Sequence, residues 1–168
     1  QVIINQLYKM TPMQSSFGII MLAIVGGQPK VLALRQVLGY FIEHRKEIVT
    51  RRTSFELKKA EARAHVLEGL KIALDNLDEV IQVIKSSANP AEARERLIAR
   101  FGLSEIQAQA ILDMRLHRLT GLERDKIIDE YNQVMALIKR LKEILGSEVE
   151  ILDIIKVELL EIRERFGN

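Results

Sequence analysis

Between Leu122 and Leu145 the apolar residues Ile127, Tyr131, Val134, Ile138, Leu141 and Leu145 recur at alternating spacings of four and three. That period keeps one seam facing a neighbour, so the segment is predicted to be one helix of a coiled coil. Its partner is predicted upstream, in a long amphipathic helix from Val31 to Lys85 where Phe41, Ile48, Phe55 and Ala62 recur every seven residues. Folded back on each other, two segments of the return helix's length make an antiparallel arm of about 36 Å at ~1.5 Å per residue.

The rest of the chain is punctuated by breakers. Val2 to Met10 reads as a helix stopped by Thr11-Pro12. Phe17 to Val25 is a continuous apolar run, Gly26-Gly27-Gln28-Pro29 a turn, and Lys30-Val31-Leu32 a returning strand. The long helix ends near Ser86-Ser87-Ala88-Asn89-Pro90. Short helices are then expected over Pro90–Phe101 and from Ser104 to Leu119, the second opened by a Ser104/Gln107 capping box. Gly146-Ser147 closes the return helix, and an acidic helix runs from Glu148 to Phe166. The expected fold is mainly α: a long antiparallel coiled-coil arm with a small helical globular tip, plus a short N-terminal β-hairpin. The divisions are 1–32 with the hairpin, 33–69 and 122–146 for the arm, 70–121 for the tip, and 147–168 for the last helix.

The helix after Ser104 has apolar residues on two sides. Ile106, Ala110 and Met114 lie on one, and Ala108, Leu112, Arg115 and Leu119 on the other. One side packs on the tip, and the second needs another cover. Either a second copy supplies it, or both sides are buried among residues such as Leu70, Leu74, Leu77, Val80, Ile81 and Leu97. The candidate dimer surface comprises Leu74, Leu77, Gln107, Ala110, Ile111, Met114 and Arg115.

Composition adds limits. The chain has 168 residues, 48% of them apolar, and a net charge of +2. The charge is uneven, with nine Lys or Arg against five Glu over 35–71, and six acids against three bases over 148–168. The absence of Cys excludes disulfides and thiolate metal sites and fits a reducing cytosol. No apolar run approaches the roughly 18 residues of a membrane span, so no membrane partner is expected. The chain begins at Gln1 rather than Met, from which a longer parent is expected. His44, His65 and His117 have no ligand spacing, so no metal site is expected. Asp75, Asp78 and Glu79 share a helix face that is either a cation site or, by default, solvated. Gly26-Gly27 lacks the helix and Lys of a phosphate loop.

Several strings resemble the A-subunit family of bacterial DNA gyrase, a type IIA topoisomerase. They are Leu7-Tyr8-Lys9-Met10-Thr11-Pro12, Ser16-Phe17-Gly18, Glu43-His44-Arg45, Arg51-Arg52-Thr53, Ala64-His65-Val66-Leu67-Glu68-Gly69-Leu70, Gln107-Ala108-Gln109-Ala110-Ile111-Leu112-Asp113-Met114-Arg115-Leu116 and Leu119-Thr120-Gly121-Leu122-Glu123. Ile20 departs from the family pattern, where Asn is expected. The resemblance implies the end of the tower domain, the arm, and the exit gate through which transported DNA leaves. It implies a homodimer through the tip and a bacterial, nucleoid-associated cytoplasmic location, with double-stranded DNA and the gyrase B subunit for partners. ATP and Mg would act in the whole enzyme through the partner subunit, with no cofactor in this segment. The family's catalytic tyrosine follows an arginine, whereas Tyr8, Tyr40 and Tyr131 follow Leu7, Gly39 and Glu130. No catalytic residue is therefore expected here. Arg45, Arg51 and Arg52 either face DNA in a cavity or solvate the coil by pairing with Glu43, Glu47 and Glu56. The alternatives are a standalone dimerising or DNA-binding arm like a chromosome-organising hinge, and the topoisomerase IV A subunit.

Overall fold

The structure, a computed structural model, describes residues 1–115 and 121–167. Two units divide it, Gln1–Arg45 and Lys46–Asn168. The elements run α1 (Val2–Met10), β1 (Met21–Val25), β2 (Gln28–Leu32), α2 (Leu34–Asp75), α3 (Leu77–Ser86), α4 (Pro90–Phe101), α5 (Glu105–Leu112), α6 (Gly121–Gly146) and α7 (Glu148–Phe166). Helix α2 crosses the boundary between the units.

In the first unit, Pro12 disfavours helical backbone at Thr11, which is extended with φ −128° and ends α1. Strands β1 and β2 pair antiparallel from Met21↔Leu32 to Val25↔Gln28. Their turn is made by Gly26 and Gly27 at φ 60° and 77°, the left-handed pair that matches hairpin twist. The first strand is shorter than the apolar run, beginning at Met21 rather than Phe17, and β2 already starts at Gln28. Since Val31 and Leu32 belong to β2, the long helix starts at Leu34. Leu32 is the one buried residue of this unit among those described.

In the second unit, α2 and α6 form the antiparallel arm. As numbers rise along α2, partners fall along α6: Glu61 bonds Lys142, Arg63 bonds Glu130, and Asp75 bonds Arg124. The seam of α6 is largely as expected, with Ile127, Ile138 and Leu141 buried. At its end Ile144 is buried and Leu145 only half-buried. The seam of α2 differs from the expected one. Phe41 and Phe55 are 44% and 69% exposed, and the buried residues are instead Val49, Thr53, Ala60, Ala64 and Leu67. The small side chains of Ala60 and Ala64 pack with Ile138 and Leu141 in one buried cluster. At the base, Ile151 and Ile155 of α7 join Val49 and Ile144 in a separate cluster.

The tip follows from a break at Asn76, where one long helix to Lys85 was expected. Its Nδ2 donates to the Ile72 carbonyl at 2.9 Å, and its backbone leaves helical geometry at φ −122°, ψ 39°. A side chain that competes for a backbone carbonyl in this way weakens the helix locally, and α3 begins anew at Leu77. Asn89 caps α4 by accepting from the Glu92 N–H at 2.9 Å. Ser104 and Gln107 form the expected capping box. Helix α5 ends at Leu112, well short of Leu119, with the Met114 N–H turned tightly onto the Ile111 carbonyl. Leu116, His117 and Leu119 lie outside the described residues. Leu67, Leu70, Leu74, Val80, Leu97 and Ile111 make the centre of the tip core.

Candidate gate surface and basic arm

Helix α5 is held against α2 by a polar clamp. Gln107 is 6% exposed; its Nε2 donates to the His65 carbonyl at 2.8 Å, and its Oε1 accepts from the Ser104 N–H at 2.9 Å. His65 Nε2 lies 2.7 Å from Ser104 Oγ, so the box that starts α5 is also tied to α2. Each buried polar side-chain atom among the described residues thereby has a partner, which fixes how α5 is rotated.

That rotation sorts the candidate dimer residues. Leu74, Gln107 and Ile111 are buried within the tip of a single chain, not presented at its surface. Of the two apolar sides of α5, one has Ile106 64% exposed with Ala110 and Met114 half-buried, and the other has Ala108 buried, Leu112 half-buried and Arg115 exposed, so neither side is buried throughout. Leu77, Ala110 and Met114 are half-buried, and Arg115 is exposed. Two grooves flank Met114. One of about 270 Å³ is lined by Leu77, Val80, Ile81, Ile84, Ile111, Leu112 and Met114, with Lys85 as its one charged residue. The other, of about 520 Å³, is lined by Arg63, Val66, Leu70, Ala110, Met114 and Arg115. Ile81, Ile84 and Leu112 were not among the expected surface residues, although Leu77, Ile81 and Ile84 follow helical spacing along α3.

The arginines separate as well. Arg52 bonds Glu158 of α7 at 2.7 Å, a partner 106 residues away rather than Glu43, Glu47 or Glu56. Lys46 bonds Glu148, and Arg140 bonds Glu150 at 2.6 Å. The hydrogen bond from Lys46 holds the Glu148 carboxyl below the ordinary glutamate value, and the bond to Glu150 raises the Arg140 guanidinium. Lys46–Glu148 and Arg52–Glu158 therefore link the basic stretch 35–71 directly to the acidic stretch 148–168. Arg51 is exposed on the far side of α2, and Arg45 is half-buried at the end of the first unit.

The weaker candidates resolve simply. Asp75 bonds Arg124 at 2.7 Å and Glu79 lies 3.4 Å from Arg100, so two of the three acids of that face are paired, while Asp78 is exposed. Among the described residues no cluster of His, Asp or Glu could hold a metal ion. Tyr131 packs in the seam with the Lys71 ammonium 5.5 Å from its ring centroid. No described helix is long and apolar enough to cross a membrane.

The chain is 58% identical over 167 residues to the DNA gyrase A protein of Streptococcus pneumoniae, covering 99% of this chain and 20% of that protein. It is 53% identical over 168 residues to that of Helicobacter pylori, covering 100% and 20%, and 56% identical to that of Clostridium acetobutylicum, covering 99% and 20%. The chain thus spans about a fifth of the length of these relatives. Residues 1–160 match the family described as the A subunit of DNA gyrase/topoisomerase IV, and with an arm and tip built from those same residues the chain belongs to that family.

Proposed function

We propose that this chain is the exit-gate and arm portion of a DNA gyrase A subunit, joining two subunits through its tip and releasing transported DNA. The observation that carries this reading is the apolar groove beside Met114. It is lined by side chains that a single chain leaves partly uncovered, at the end of a two-helix arm. A second copy related by a two-fold axis would place the same groove against itself. A modest interface suits a gate that must both hold and open.

The parent is an ATP-dependent type II topoisomerase, an isomerase acting on double-stranded DNA in the bacterial cytoplasm at the nucleoid. The gyrase B subunit brings ATP and Mg, and the catalytic tyrosine belongs to another part of the A subunit, so this segment is inactive alone. Sedimentation tests the gate directly. The chain should be a dimer at tens of micromolar, the range of ordinary weak interfaces. Met114→Asp should give a helical monomer, because it puts a charge into a mostly apolar groove that a second copy would desolvate. A wild-type chain that stays monomeric sinks the reading.

A further inference from the structure

We infer that the outer face of α2 around Phe55, carrying Arg51, Lys58 and Lys59, is a docking surface for duplex DNA. The inference rests on the DNA-handling role proposed above and locates a contact within it. The cations of α2 divide into two sets. Lys46, Arg52 and Arg63 are bonded to Glu148, Glu158 and Glu130. Arg51, Lys58 and Lys59 are exposed and form no ion pair among the described residues.

Positions 51, 55, 58 and 59 share one side of the helix, turned away from the seam of Val49, Thr53 and Ala60. In their midst Phe55 is 69% exposed, although burying a large aromatic is among the strongest drives in folding. A groove of about 560 Å³ runs along this face from Lys46 to Lys58, with the Thr50 and Ser54 hydroxyls in its wall and Glu47 as its one acid. Hydroxyls and cations hold phosphates, while an aromatic among them contacts sugars or wedges at a base step. The stretch from Arg51 to Lys59 spans ~12 Å, and a duplex presents a negative charge every ~1.7 Å of its axis, so several phosphates come within reach.

The test is fluorescence anisotropy of a labelled short duplex, and of one of its single strands, with the full 168-residue chain across a salt series. The variant Arg51→Gln/Lys58→Gln/Lys59→Gln should bind duplex at least about tenfold more weakly. Its slope of log affinity against log salt should be shallower by about two to three, one for each phosphate no longer neutralised. Phe55→Ala should weaken binding by about three- to tenfold and leave the slope unchanged, since stacking releases no counterions. Arg52→Gln/Arg140→Gln, which removes charges already engaged by Glu158 and Glu150 outside the groove, should change affinity by less than about threefold. Circular dichroism should report the same helix content in every variant. The inference is overturned if wild type does not bind duplex at low salt, if the triple variant binds like wild type, if the engaged-charge control is equally damaged, or if the single strand binds more tightly than the duplex. The triple variant should sediment as wild type does, so a failure here leaves the gate reading standing, and a monomer that still binds DNA sinks the gate alone.

Discussion

Gln107 lies directly across Gly69: a Cβ built on Gly69 would sit 2.6 Å from the Gln107 Cβ. The tip therefore meets the arm where one helix offers bare backbone and the other a clamped amide. Gly69→Ala should destabilise by about 1–3 kcal/mol, because Gln107 is pinned at His65 and Ser104 and cannot swing aside. Gly39, also in α2, has open space at its Cβ, so Gly39→Ala should instead stabilise by up to about 1 kcal/mol through helix propensity. Chemical denaturation of both variants checks the opposite signs.

The arm seam predicts a second contrast. Ile138 is 6% exposed, and Ile138→Ala should cost about 2–5 kcal/mol. The exposed neighbour Lys139 should tolerate Ala within about 0.5 kcal/mol. On α2 the smaller residue matters more. Val49→Ala, at 0% exposure, should cost about 2 kcal/mol, whereas Phe55→Ala, at 69%, should stay within about 0.5 kcal/mol. Thermal melts showing the reverse order would return the seam to Phe55.

Ile111 and Met114 should part company when charged. Ile111→Asp buries a carboxylate in the tip core and should lose the tip's cooperative unfolding. Met114→Asp should keep it and change only the mass in solution. Near-ultraviolet circular dichroism together with sedimentation separates the two effects.

The Lys46–Glu148 bond predicts an acid dependence. The Glu148 carboxyl is held below its ordinary value of 4.5, so its contribution is fully present above that value and is lost as pH falls through the lower folded value. The melting-temperature difference between wild type and Glu148→Gln should shrink on acidification below 4.5 and also with added salt. A difference that grows in acid would reverse the assigned direction.

The return helix was legible because its large apolar side chains repeat at 3.5-residue spacing and the seam uses nearly all of them. The capping box at Ser104–Gln107 was equally legible, since it closes within four residues. The outgoing seam was not. Choosing Phe41, Ile48, Phe55 and Ala62 followed the seven-residue repeat, whereas the face packed on Ile138 and Leu141 carries the small residues Ala60 and Ala64. The break at Asn76 is not announced in the sequence because it is marked by one side-chain hydrogen bond rather than a Gly or Pro. At the surface, the Arg52–Glu158 bond joins distant parts of the chain, and no local spacing announces it. The same holds for Leu74, Gln107 and Ile111, whose inward orientation depends on how α5 is turned against α2.

The Asp75–Arg124 bridge brings together the two places where the chain leaves the arm and returns to it. Everything from Asn76 to Glu123 is in this sense an insertion with its ends already side by side. The entropy of closing such a segment grows only with the logarithm of its length, about 0.6 kcal/mol for each doubling. Extra residues in the connections between α3, α4 and α5 would therefore leave the pairing of Glu61 with Lys142 and of Arg63 with Glu130 in register. Evolution is free to resize the head of this arm without retuning its shaft.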